Sequence, residues 1–289
     1  MNKMQKRALA ADSALLLVAV IWGGGFVASK IALNSITPFY LLGIRVLGAG
    51  LILSVILWSK IRHADRQTIK VGLALGMFLL IGQGMQIFAL QYTTPGKQAF
   101  LVASYTLFIP FISWVILKRR PQLASILAGI IMLIGIAFLS LNENLTIGFG
   151  DGLSILSAIF FAVHMVLISR IVRQYDPLQI SVFQLLSAGS IGLMLGIVFE
   201  PPLIEISSES GLALGYLLFI NTAIASSVQN FAQKFTTATR SSIIVSLESV
   251  FGLFFSILIL NEQFTNKMIF GIMLIVVAVV ISKMEKITT

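Results

Sequence analysis

The sequence predicts an all-α integral membrane protein, with ten transmembrane helices arranged as two inverted five-helix repeats. Three observations carry that prediction. Of the 289 residues, 57% are hydrophobic and 11% charged, where an ordinary soluble domain carries about 25% charged residues. The apolar residues gather into runs of about 20, the length that crosses a ~30 Å hydrocarbon layer. Short motifs of the first half return in the second at offsets of 139 to 143 residues.

The runs lie near residues 12–33, 38–58, 68–91, 97–117, 121–141, 149–170, 177–199, 210–231, 240–260 and 265–283. Polar or Pro/Gly punctuation bounds each of them. Lipid offers no partner to an open backbone, and the runs lack the period-2 alternation of a barrel, so each reads as a helix. What remains is short loops and two small tails, too little for an extramembrane domain. The first run follows Lys3, Lys6 and Arg7 as a signal peptide would. Its apolar character continues through Phe26 to Leu33, past the ~15 residues of a signal core, so it reads as a span.

The net charge of +9 is explained by topology and not by a nucleic-acid partner. With the N-terminus inside, sixteen Lys and Arg fall in inside segments: Lys3, Lys6, Arg7, Lys60, Arg62, Arg66, Lys70, Lys118, Arg119, Arg120, Arg170, Arg173, Lys234, Arg240, Lys283 and Lys286. Only Lys97 and Lys267 fall outside, and the loop with Glu200, Glu205 and Glu209 is acidic. This bias holds for an even number of spans with both termini cytoplasmic.

Gly72-Leu73-Ala74-Leu75-Gly76 returns as Gly211-Leu212-Ala213-Leu214-Gly215, an offset of 139. Pro38 and Ala49-Gly50 map at the same offset to Pro177 and Ala188-Gly189. Ser29-Lys30 maps at 140 to Ser169-Arg170, and Thr93-Thr94 with Lys97 maps at 143 to Thr236-Thr237 with Arg240. Five spans per copy is an odd number, so residues 143–289 form a second repeat inverted relative to residues 1–142. Inverted repeats characterise secondary transporters, in which two mirrored halves surround one site.

A charge at mid-bilayer costs roughly 2.5–3.5 kcal/mol, so each such group must pair, snorkel or line a cavity. Arg45 lies about three residues from the middle of span 2, roughly 4.5 Å at the helical rise, too deep to snorkel. Glu248, near the centre of span 9, is the natural partner for Arg45 or Lys30. Alternatively it carries a coupled proton, because removal from water disfavours the charged carboxylate. Lys30, nearer the end of span 1, either snorkels or adds to a cationic core that favours an anionic or zwitterionic substrate. His164 in span 6 is a hydrogen-bonded structural residue or a second coupling candidate. Gly72, Gly76, Gln83 and Gln86 share a helical face in span 3, as do Gly211, Gly215, Thr222, Ser226 and Gln229 in span 8, which points to helix packing or to a shared polar cavity. Trp22 and Tyr105 sit away from the interfaces, as core or as an aromatic wall. The Gly23-Gly24-Gly25 run either loosens span 1 or packs it closely. It lacks the Lys-Ser/Thr ending of a P-loop. No cysteine and two histidines leave no disulfide framework and point to no metal site; no cofactor is expected.

Trp22-Gly23-Gly24-Gly25-Phe26-Val27-Ala28-Ser29-Lys30, with Pro38 and Arg45 following, resembles the opening of a drug/metabolite transporter of the EamA type. Leu247-Glu248-Ser249-Val250 resembles that family's span 9 pattern, and Leu260-Asn261-Glu262-Gln263-Phe264 its span 9–10 turn, with Asn261 where Gly is common. The resemblance covers essentially the whole chain. It implies a central cavity lined mainly by spans 1, 3, 4, 6, 8 and 9, mobile spans 2 and 7, and spans 5 and 10 as scaffold. Amino acids, other small metabolites, nucleotide-linked compounds and drugs are all substrates within it.

The expected function is secondary active transport of small metabolites, as an exporter in the inner membrane working by alternating access and coupled to protons. An uncoupled facilitator and a multidrug or amine exporter are the alternatives. An intramembrane enzyme would need a catalytic constellation that no spacing provides, and a channel would need like-charged rings. The partners are a small-molecule substrate and the bilayer, without nucleic acid, for a monomer or homodimer.

Overall fold

The computed structural model describes residues 3–118, 120–140, 148–261 and 266–282. The expectations placed on Arg119, on Glu262, Gln263 and Phe264, and on Lys283 and Lys286 fall outside the described residues. Among those residues the protein is helical throughout, with no strand. Eight helical stretches are long and apolar enough to cross a membrane: Arg7–Ala32, Pro38–Ile56, Arg66–Ala89, Pro95–Leu117, Phe149–Ile171, Pro177–Phe199, Ser208–Gln233 and Ala238–Leu260. Two further apolar helices are shorter.

The elements in order are α1 (Lys3–Ala32), α2 (Pro38–Ile56), the single turn α3 (Trp58–Ile61), α4 (Arg66–Ala89), α5 (Pro95–Ala103), α6 (Tyr105–Leu117), α7 (Leu123–Ser140), α8 (Phe149–Ile171) and α9 (Pro177–Phe199). They are followed by α10 (Ser208–Tyr216), a π-helical stretch (Leu217–Ile224), α11 (Ala225–Gln233), α12 (Ala238–Val245), α13 (Glu248–Leu260) and α14 (Asn266–Ser282).

Helix starts follow capping chemistry. Pro38, Pro95 and Pro177 occupy the first helical position, where the missing N–H costs nothing. Asp65 accepts from the Thr68 N–H, Thr94 from Lys97, Asp176 from Leu178 and Gln179, and Thr237 from Arg240, which satisfies donors that have no intrahelical partner. Thr37 makes no such bond. Instead, Glu200 at the far end of α9 accepts from the Thr37 hydroxyl and from the Phe39 and Tyr40 N–H groups. Both α6 and α13 end on a residue in the left-handed region, Lys118 at φ 56° and Asn261 at φ 55°. Asn tolerates that conformation at a helix C-terminus better than most residues.

The centre is the antiparallel crossing of α2 and α9, where a Cβ on Gly43 would collide with the Leu193 backbone and one on Gly189 with the Leu47 backbone. Removing side chains is what lets two backbones approach in lipid, where no hydrophobic force drives helices together. Helix α4 packs on α8 and α9, α1 on α10, α11 and α13, and α7 on α14. At the last contact a Cβ on Gly135 would lie 2.8 Å from the Gly271 carbonyl. The surface carries large exposed apolar side chains such as Val55, Val198, Phe199 and Leu212, a distribution that lipid requires and water would not tolerate.

Span 1 runs unbroken through the glycine run as part of α1. A Cβ on Gly23 would lie 2.6 Å from Phe251 Cβ and one on Gly24 2.7 Å from the Tyr216 hydroxyl; one on Gly25 would strike the Asn221 side chain. The run is therefore a packing device. The discontinuities lie elsewhere, at Ser104 between α5 and α6, and at Ser246 and Leu247 between α12 and α13.

Substituting Gly189 by Val should lower the thermal unfolding midpoint in detergent, with an overpacking penalty of about 1–3 kcal/mol. Gly215→Val, whose Cβ meets nothing within 4 Å, should leave the midpoint unchanged. Equal behaviour of the two variants would remove the close crossing of α2 and α9.

Candidate functional site

A cavity with an empty volume of about 850 Å³, including its mouth, lies among the long helices. Its wall draws on all eight long stretches named above: Trp22, Phe26 and Ser29 come from α1, Arg45 from α2, Gln83 and Gln86 from α4, and Gln98 from α5. Tyr105 opens α6, Phe161, His164 and Met165 come from α8, and Gln184 from α9. Asn221, Ser226, Gln229 and Glu248 complete it. Within the single pocket an aromatic and apolar wall faces a set of amide, hydroxyl and charged groups, the composition of a small-solute site.

Of the ten residues expected to form the site, eight line this cavity: Trp22, Gln83, Gln86, Tyr105, His164, Gln229, Arg45 and Glu248. Two do not. Lys30 turns to the end of α4, where its ammonium donates to the carbonyls of Leu90 at 2.8 Å and Thr93 at 3.4 Å. Lys30 is thus absent from the cavity wall, and carbonyls at a helix C-terminus, which attract a cation, hold its ammonium. Thr222 is buried but is absent from the cavity wall. Its place is taken by Asn221, because the π-helical stretch winds more residues into each turn than the α spacing assumes.

Arg45 and Glu248 both face the cavity, yet they form no ion pair; the described ion pairs are Lys60–Asp176, Lys97–Asp151 and Arg240–Asp12. Glu248 instead accepts from the Tyr105 hydroxyl at 3.1 Å. Arg45 is 5% exposed, and its Nε is buried without a hydrogen-bond partner among the described residues. A buried donor on a cation without an acceptor is costly. Such a group in a cavity wall is set to meet an acceptor brought by a solute. Gln83 Oε1 is likewise buried and unbonded.

The remaining polar groups are held in place. His164 Nε2 donates to Gln184 Oε1 at 2.9 Å. Gln98 Nε2 donates to the Gln86 carbonyl at 2.6 Å. The Trp22 indole donates to the Asn221 carbonyl at 2.9 Å, and Asn221 Nδ2 donates to the Ile21 carbonyl at 3.1 Å, which Tyr216 also reaches at 2.7 Å. The glycines of the two polar faces divide from their amides: Gly72 and Gly76 pack on Phe183, Gln184 and Ser187 of α9, while Gln83 and Gln86 reach the cavity. Sequence reasoning missed Gln98, Gln184 and Asn221. The signal for Gln184 was present, since it stands 139 residues after Arg45. No group of three or more metal-ligating side chains occurs among the described residues.

The sequence matches the EamA-like transporter family over residues 9–141 and again over 148–284. The chain belongs to that family. A protein named an uncharacterized transporter from Archaeoglobus fulgidus is 31% identical, the match covering 94% of this chain and 85% of the relative. A probable amino-acid metabolite efflux pump of Salmonella typhimurium is 26% identical across 92% of both chains. A solved crystal structure superposes with a TM-score of 0.78 over 94% of this chain and 96% of the other, at 16% identity, a likeness of fold alone. This EamA-family protein is thus a multi-pass membrane transporter of the drug/metabolite type.

Because Arg45 has no partner to lose, Arg45→Gln should keep or raise the thermal midpoint in detergent, as replacing a buried unpaired charge does. The same variant should lose the stabilisation that an anionic or zwitterionic ligand confers on the parent. A variant that unfolds while Gln184→Ala folds normally would show that Arg45 holds the fold.

Proposed function

We propose that this protein is a secondary active transporter that exports small metabolites, amino acids or related organic solutes, by alternating access across an inner membrane. Ten spans in two inverted repeats, residues 1–142 and 143–289, form the carrier, with both termini cytoplasmic. One observation carries the reading: the cavity wall is built from residue pairs related by the offsets found in the sequence. Trp22 and Phe161, Gly25 and His164, Phe26 and Met165, and Arg45 and Gln184 are 139 apart; Gln83 and Ser226, Gln86 and Gln229, and Tyr105 and Glu248 are 143 apart. These seven pairs supply fourteen of the 21 lining residues, and a wall drawn in large part from matching positions of two repeats supports alternating access between mirrored states.

Helix packing supports the same arrangement. Helices α2 and α9 pack on each other, as do α7 and α14, and the contact of α4 with α8 has its counterpart in that of α1 with α10 and α11. In this reading the solute's carboxylate meets Arg45, its ammonium or hydroxyl groups meet Glu248 and the amides, and its side chain lies against Trp22, Phe26 and Phe161.

Glu248 also faces the cavity without a cation beside it, which favours a second reading, an amine or drug exporter. Counterflow separates these readings. Proteoliposomes preloaded with unlabelled L-amino acids should concentrate trace labelled amino acid transiently and saturably. Counterflow confined to amines would transfer the site to the second reading, and leakage without saturation would overturn carriage altogether.

Proton coupling places the proton on Glu248, the acidic member of the cavity. Glu248→Gln should then abolish the pH dependence of net transport while sparing counterflow. An unchanged pH profile would return Glu248 to a structural role beside Tyr105, with His164 next in line.

A further inference from the structure

We infer that the ion pairs Asp12–Arg240 and Asp151–Lys97 are the two gates of the solute path, one on each side of the cavity. The inference rests on the transport reading above and assigns its moving contacts. Asp12 and Asp151 stand 139 residues apart, and Lys97 and Arg240 143 apart, so each pair is the other's image under the same offsets that relate the cavity wall.

Each carboxylate lies ten residues before a cavity aromatic on its own helix, Asp12 before Trp22 on α1 and Asp151 before Phe161 on α8, about 15 Å along the axis. Each cation sits in the first turn of the helix pair that carries the other half's cavity residue: Lys97 on α5, ahead of Tyr105, and Arg240 on α12, ahead of Glu248. Each bridge therefore ties one proposed repeat to the other at one end of the cavity.

The geometry is that of formed latches. Arg240 donates Nε to Asp12 Oδ1 at 3.1 Å and Nη2 to Oδ2, a two-bond fork. Lys97 Nζ lies 2.6 Å from Asp151 Oδ2, and Asp151 also accepts from the Gly148 N–H at 2.8 Å and the Thr93 hydroxyl at 3.3 Å. Both carboxylates are buried.

A second cation accompanies each latch, and here too the partners correspond. Lys30 donates to the Thr93 carbonyl at one end, and Arg173 donates to the Thr236 carbonyl at 3.3 Å at the other. Thr93 and Thr236 are again 143 apart. Both bridges are formed in this structure, and in this proposal the solute path on a given side widens when the bridge on that side parts. This gives Lys30 a place beside the gate at its end of the cavity.

The chain contains no cysteine, so Ser226→Cys in the cavity wall provides a single thiol. Membrane vesicles of each orientation are treated with a membrane-impermeant maleimide, and the labelling rate is read from each face. Asp151→Asn should raise labelling from one face about tenfold, within the range of ordinary coupling between sites, and Asp12→Asn should raise it from the opposite face. Rates unchanged from both faces in folded variants would overturn the gates. So would both variants opening the same face.

Two further variants hold the proposal to account where a lone carboxylate loss prevents folding. The exchange Asp12→Arg with Arg240→Asp rebuilds the bridge in reverse and should restore parental labelling. Arg240→Lys loses the fork and should raise labelling from the Asp12 face by a smaller factor; no rise would count against the gates. Counterflow by the parent decides the transport reading separately. A parent that carries no solute, but whose labelling follows these variants, loses that reading and keeps the gates.

Discussion

Lipid offers no hydrogen-bond partner, and that single constraint sorts the side chains of this protein. Outward positions are apolar, helix starts are closed by Thr, Asp and Pro, and backbones meet through glycine where they must cross closely. The polar side chains left over have two places to go, into bonds with other parts of the chain or into the cavity. Glu200, Lys30 and Asp176 took the first course, each satisfying or borrowing backbone groups at a helix end. Arg45 took the second. A guanidinium held out of water with Nε unbonded is a cost that packing alone does not explain, and an apolar residue of similar volume would remove it. In the proposed function, the carboxylate of a bound solute completes it.

The paired positions of the cavity have similar places but different chemistry. Arg45 stands opposite Gln184, and Glu248 opposite Tyr105, so in each pair one member carries charge and the other a neutral polar group. In the proposed function the scaffold would offer the two nearly equivalent states that alternating access needs, and the solute would meet one cation and one anion in fixed places. The neutral partners are not idle. Tyr105 donates to Glu248 across the proposed symmetry axis, and Gln184 holds His164. Breaks in the helices at Ser104 and at Ser246 and Leu247 put Tyr105 and Glu248 at the starts of α6 and α13, where each projects from a helix end toward the cavity.

Much of this was legible in the sequence, because the signals were long-range periodicities. Runs of apolar residues marked the helices, Pro38 and Pro177 marked two starts, and the spacing of Gln83 and Gln86 put both on the cavity face. What escaped depended on local geometry. The offset changes from 139 at Gly215 to 143 at Ser226, so four extra residues lie between them, and the π-helical stretch falls inside that insertion. Helical spacing applied across that insertion chose Thr222 over Asn221. The Arg45–Glu248 pair was inferred from scarcity of partners, a rule that holds for closed cores and fails beside a cavity. Lys30 was judged by depth alone, which ignores the carbonyls that a neighbouring helix end presents. Asp12 and Asp151 were passed over because they lie at or near the starts of the apolar runs near residues 12 and 149, while buried charge was sought in the middle of the spans.

The two bridges differ in a way that bears on direction. A ligand shifts a conformational equilibrium only by its differential affinity for the two states, so a carrier with nearly matched gates needs little solute energy to move between them. The Arg240 fork depends on planar alignment and is lost over a small rotation, whereas the Lys97 ammonium tolerates rotation but is held by a carboxylate already fixed by Gly148 and Thr93. One gate is strong through the geometry of its cation, the other through the anchoring of its anion. The first yields to a change in angle between α1 and α12, the second only to separation of α5 from α8. As the proposed gates, the two bridges would be symmetric in place and asymmetric in the motion that releases them, which would let a bound solute favour one exit over a shared scaffold.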